Sequence, residues 1–182
     1  GYIQAILKKI GTDHDIRLLE LKYNQQTENV KKILESSRFP LFIFLENIVY
    51  SRSYHLTAAK KLAAELRKKE KDMFIGIQSH KISAYEAKKA ISEGHFDCVV
   101  GKDPEYSFQK IESILKKRPV EGVMDAKGGE LSKEKQNGTE LDNIPSPYLE
   151  GIFDDILKRN GYTTAMISTS RGCRHGCIYC SR

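Results

Sequence analysis

No stretch of this chain stays apolar long enough to cross a bilayer, and no charged segment leads into an apolar one at its start. Neither a membrane span nor a secretory signal is therefore expected. Cysteine is scarce, with four in 182 residues, and three of them crowd into positions 173–180. That is no disulfide framework, and a cytoplasmic protein with reduced thiols is the expectation. Tryptophan is absent, and no aromatic residue interrupts the basic run 60–71, which carries Lys60, Lys61, Arg67, Lys68, Lys69 and Lys71. A nucleic-acid surface would need stacking residues beside that charge. Instead Leu62, Ala63 and Leu66 punctuate the run at core-facing spacing, so it reads as the solvated face of a helix. The net charge of +6 comes mostly from such helices, and no nucleic-acid or membrane partner is expected.

The chain is rich in alternating helix and strand signals. Ile3, Ile6, Leu7 and Ile10 form a helical stripe that Gly11 ends. Asp15 to Leu21 reads as a short strand. Val30, Ile33 and Leu34 mark a helix that stops before Pro40. Leu41 to Leu45 is a continuous apolar run, as expected of a strand covered on both faces. After a polar loop from Asn47 to Ser53 comes a long helix to about Lys71, then a strand from Met73 to Ile77. Ser83-x-x-Glu86 is a capping box, opening a helix that turns Ala87, Ala90 and Ile91 inward and ends at Gly94. Asp97 to Val100 is a strand closed by Gly101. Pro104 starts a helix with Phe108, Ile111 and Leu115 on one face.

Strands recurring every 25 to 30 residues with helices between them give the rhythm of a parallel α/β sheet. Ligands of such sheets gather at the carboxyl ends of the strands. Val120 to Met124 and Glu130 to Ser132 flank Lys127-Gly128-Gly129 as a small hairpin. Lys133 to Asn143 reads as a mobile linker, and two prolines stiffen Ile144 to Leu149. A short helix near Phe153 to Lys158 and a strand at Thr164 to Ser168 complete the reading. The domains expected are 1–118, an α/β domain; 119–150, hairpin and linker; and 151–182, the start of a second domain.

Cys173, Cys177 and Cys180 are spaced C-x3-C-x2-C, with Gly172 and Gly176 suited to a tight loop. Three soft thiolates so close in sequence can converge on iron–sulfur or on zinc. A [4Fe–4S] cluster held by three leaves one iron open to a substrate or cofactor. Zinc with His175 as fourth ligand, a disulfide and free thiols are the other readings. Structural zinc sites usually come as two separated pairs, and no second pair exists here.

The C-x3-C-x2-C spacing with Tyr179 just before the last cysteine resembles the signature of the radical S-adenosylmethionine (SAM) superfamily. Ser168 to Cys173 resembles its lead-in, a strand followed by an Arg-Gly turn. The wider layout resembles the cobalamin-binding-domain radical SAM enzymes. Gly1 to Leu7 resembles their first helix, Phe96 to Gly101 their fifth-strand segment, and Pro145 to Gly151 their linker. The resemblance implies a Rossmann-like (flavodoxin-like) parallel sheet lacking its first strand, a linker, and the start of a partial TIM barrel. The chain would then be a fragment of a longer enzyme. It further implies a [4Fe–4S] cluster on the three cysteines and SAM on the open iron, with Tyr179 near the adenine. Cobalamin would lie over the strand ends, lined by Glu46, Asn47, Gly76, Ser79 and Gly101. An electron donor such as flavodoxin or ferredoxin, and a small-molecule or peptide substrate, would be the partners.

The chain departs from that pattern in several places. The signature of a lower-ligand histidine is missing, so His14 reads as a turn residue and His80 as a solvated loop residue. The family's Gly-Glu-Gly-Glu becomes Gly101-Lys102-Asp103-Pro104-Glu105. Gly128-Gly129-Glu130 precedes the cysteines, whereas the SAM-binding Gly-Gly-Glu of the superfamily follows them. Two alternatives stand beside a radical SAM enzyme of methyl transfer or other tailoring chemistry. One is a degenerate α/β module kept for docking. The other is a methylthiotransferase-like enzyme, which would need three cysteines in the α/β domain, where only Cys98 occurs.

Overall fold

Where the chain is described, most helices and strands follow its periodicity and end signals. A computed structural model of the chain describes residues 1–11, 25–36, 40–45, 52–79, 82–101, 104–131, 143–154 and 157–158. Helix α1 (Tyr2–Lys9) buries Ala5, Ile6 and Leu7, and Gly11 follows it at φ +65°. Helix α2 (Gln26–Ser36) buries Val30 and Ile33. Strand β1 (Leu41–Phe44) leads to helix α3 (Arg52–Lys69), strand β2 (Ile75–Gln78) and helix α4 (Ala84–Ser92). The α4 capping box is formed: the Glu86 N–H donates to Ser83 Oγ at 3.2 Å, and the Ser83 N–H donates to Glu86 Oε2 at 2.9 Å. Strand β3 (Cys98–Val100) follows, then helices α5 (Pro104–Phe108) and α6 (Ile111–Leu115), and strand β4 (Val123–Asp125). The proposed strand at 15–21 and everything from residue 159 onward lie outside the described residues.

The sheet order is β1-β2-β3-β4. The first three strands are parallel, with Phe42 opposite Gly76 and Gly76 opposite Cys98. Strand alternation then sends side chains to two cores. Ile43, Ile75, Ile77, Val99 and Met124 pack with α2, α3 and α4. Phe42, Phe74, Cys98, Val100 and Val123 pack with Leu7 of α1, Phe108 of α5, and Ile111 and Ile114 of α6. Helices therefore cover both faces. Right-handed crossovers between adjacent parallel strands that march in one direction put their helices on one face, as α3 and α4 are. This is an open, mostly parallel α/β sheet compatible with a Rossmann-like fold.

Three details differ from the sequence reading. After residue 118 the expected two-stranded hairpin is replaced by a single strand and turn: Glu130 and Leu131 are not in a strand, and β4 instead pairs antiparallel with β3, Val99 opposite Met124, and widens the sheet. Its turn is as tight as expected, with Asp125 and Gly128 exchanging backbone hydrogen bonds of 2.8 and 3.1 Å. The helix after Pro104 is two short helices. The Lys110 N–H donates to Ser107 O at 3.0 Å, a tight closure, and the Ser107 hydroxyl donates to Glu121 O at 3.2 Å. That tie to the loop before β4 redirects the chain, while Phe108 and Ile111 both stay buried. Cover of the Leu41 to Leu45 run is also incomplete. Among the described residues no strand pairs with the outer edge of β1, and Phe44 is 42% exposed.

The two-proline segment is held against α1. Pro147 is buried, Tyr148 and Phe153 stack edge to face at 5.1 Å, and Lys8 Nζ donates to Glu150 O at 2.7 Å. Among the described residues no helix is long and apolar enough to cross a membrane.

Candidate functional site

The carboxyl ends of β1, β2 and β3 lie side by side, where an open α/β sheet collects ligands. The Leu45 N–H donates to Gln78 O at 3.0 Å, and the Ser79 N–H donates to Val100 O at 3.1 Å, so the ladder runs to the last residue of each strand. Ser79 is buried at this rim. Gly101 is buried too, and its backbone groups are both used. Its N–H donates to Gly122 O at 2.8 Å, and its carbonyl accepts from Gln78 Nε2 at 3.3 Å. A Cβ on Gly101 would sit 3.3 Å from Gly122 O and 3.6 Å from Leu131 Cδ2. The return arm of the Asp125–Gly128 turn thus brings Leu131 back over the end of β3.

Gly76 lies inside β2 rather than after it. A Cβ there would collide with the Phe42 ring and stand 3.2 Å from Cys98 Sγ. Its glycine is explained by that ring, which also packs against Phe74 at 5.7 Å and Phe108 at 4.9 Å. Glu46, Asn47, Tyr179, Cys173, Cys177 and Cys180 lie outside the described residues, as do His14, His80 and His175. Among the described residues no three His, Cys, Asp or Glu side chains converge to hold a metal.

Cys98 is a core residue, 2% exposed. Burial, helped by the nearby charges of Asp97 and Asp125, pushes its thiol up to about 12, so it is neither a nucleophile nor a ready metal ligand at neutral pH.

The opposite, amino end of β3 holds a charge cluster that the sequence reading missed. Asp97 Oδ2 accepts from Arg67 Nη2 at 2.6 Å and from the Ile75 N–H at 2.9 Å, and Oδ1 accepts from Lys117 Nζ at 3.2 Å. Arg67 Nη1 donates to Met73 O at 3.1 Å. These residues border a cavity of about 480 Å³ with Phe96, Asp125 and Lys127. Burial alone would raise the Asp97 pKa. The Ile75 N–H and the Arg67 guanidinium outweigh it and hold the carboxyl below its ordinary range. Each cation here is spent on a carboxylate or carbonyl, so the arrangement is a structural clamp. The one available signal was an acid directly before the apolar Cys98-Val99-Val100.

No protein-family model matches the chain. It is 28% identical over 91 residues to an uncharacterised methyltransferase of Pyrococcus horikoshii, an alignment covering 47% of this chain and 20% of that protein. The chain therefore spans only a small part of the length of the curated relative that it matches.

Proposed function

We propose that this chain is part of a radical SAM enzyme, in which an α/β domain precedes a [4Fe–4S] site, and that the whole enzyme transfers a methyl group. The observation that carries the reading is the C-x3-C-x2-C set of Cys173, Cys177 and Cys180, with Tyr179 in place, downstream of a mostly parallel α/β sheet. The similarity to a protein named as a methyltransferase supports the reaction class. Three thiolates are a donor set suited to iron–sulfur, and the cluster would supply the electron that cleaves SAM bound to its open iron. Of the chain's own residues, Cys173, Cys177 and Cys180 would hold the cluster and Tyr179 would flank the adenine. An electron donor such as flavodoxin or ferredoxin and a reducing, cytoplasmic setting belong to the same proposal. A methylthiotransferase-like arrangement is disfavoured, because Cys98 is the α/β domain's one cysteine and it is buried in the core.

The test is anaerobic reconstitution of the longer protein containing this chain. It should take up about four iron and four sulfide per chain and release 5′-deoxyadenosine from SAM. Replacing Cys173, Cys177 or Cys180 with Ala should abolish both. Stoichiometric zinc with iron refused would overturn the proposal.

A further inference from the structure

We infer that the α/β domain does not seat a cobalamin nucleotide tail against Gly76 within β2 or Gly101 after β3, because the chain's own groups fill the room such a tail would need. A nucleotide tail enters an α/β sheet where glycines let it approach the backbone and where N–H or C=O groups remain to receive it. Neither condition is met at Gly76 or Gly101. At Gly76 the Phe42 ring lies against the Cα position, backed by Phe74 and Phe108, so the layer between the sheet and α5 is packed with aromatic rings. At Gly101 both backbone polar groups are already paired, with Gly122 and with the buried Gln78, and Leu131 lies over the strand end. Ser79 is buried, and its N–H is committed to Val100. Buried polar groups that already have partners gain little by exchanging them for a ligand, and displacing packed rings costs their contacts as well.

The two glycines thus have tertiary explanations internal to the fold. At Gly76 the residue makes space for a ring. At Gly101 it allows the close approach of Gly122 and β4. Strand β4 lies beside β3 and the arm after it sets Leu131 against Gly101, both from residues that the sequence reading placed outside the α/β domain.

Hydroxocobalamin is titrated into the 182-residue chain and into the longer protein, followed by visible spectra and by retention on a desalting column. No spectral shift and no retention at about 100 µM is expected, a concentration well above the affinity of a dedicated cofactor site. Retention of one cobalamin per chain by either protein overturns the inference. Thermal unfolding of Gly76→Ala separates a filled space from an open one. With Phe42 in place the melting temperature should fall by at least about 2 °C, as overpacking predicts. An unchanged melting temperature would show room at Gly76 and overturn the inference. The result is independent of the cysteine experiment: a missing cluster leaves both measurements here unaffected.

Discussion

Asp97 joins elements that lie far apart in the chain, and its removal gives a sharp test of the packing. Its carboxylate receives Arg67 from the end of α3, the Ile75 N–H at the start of β2, and Lys117 just after α6. In Asp97→Ala the Ile75 N–H loses its acceptor on a residue that is 0% exposed, which costs about 1–3 kcal/mol. The Arg67 bond is charge-assisted, and such bonds contribute about 1.5–3 kcal/mol when well formed. Water still reaches part of this pair, because the Arg67 side chain is 25% exposed and that of Asp97 17%. The lower part of each range therefore applies. The Lys117 contact adds little, since that side chain is 51% exposed. The expected total for Asp97→Ala is about 2–3 kcal/mol. Asp97→Asn keeps an acceptor for Ile75 and loses the charge, so it should cost about 1 kcal/mol.

The pH dependence follows from the same geometry. The folded carboxyl titrates below its ordinary range, so its stabilisation is fully present above the unfolded value of about 3.9. It is lost as pH falls through the lower folded value. Asp97→Asn should therefore lose least relative to the parent at the acid end. Urea unfolding followed by far-UV circular dichroism, at several values from pH 3 to pH 7, measures all three chains. If Asp97→Ala lies within about 0.5 kcal/mol of the parent at pH 7, the clamp contributes nothing and the reasoning fails. A double-mutant cycle with Arg67→Met should show coupling above about 0.5 kcal/mol, and no coupling would remove the ion pair from the account.

Ser83→Ala opens the capping box of α4 and should lower stability by about 1 kcal/mol in the same urea assay, while recovery of that stability in Ser83→Asp would confirm capping as the cause. Phe108→Ala removes a 1%-exposed ring that touches Phe42 and Phe44, and should cost about 3–5 kcal/mol. Cys98 should resist iodoacetamide at pH 8 in the folded chain and react only in denaturant, as read by mass spectrometry of its peptide; prompt native labelling would contradict its burial.

Local signals carried much of the fold. The stripe Ile3-Ile6-Leu7, the Ser83–Glu86 box and the glycines after α1 and α4 act over one or two turns, so the sequence alone determined these helices and where they stop. The short strand signals of Met73 to Ile77 and Asp97 to Val100 are equally local, and their recurrence with helices between them implied a parallel sheet. The candidate cluster site is also a sequence-level reading, since C-x3-C-x2-C sets three thiolates within eight consecutive positions whatever surrounds them. The tertiary structure decided what depends on distant neighbours. Nothing near Val123 announces that it will lie beside Val100, because antiparallel pairing across some twenty residues is chosen by the exposed edge of β3. Gly76 looked like room for a ligand until the Phe42 ring, thirty-four positions earlier, was found in that room. Gly101 gave no local hint of Gly122 or Leu131, and Asp97 none of Arg67 or Lys117. Periodicity shows which face a residue turns inward; only the packed sheet shows what already stands there.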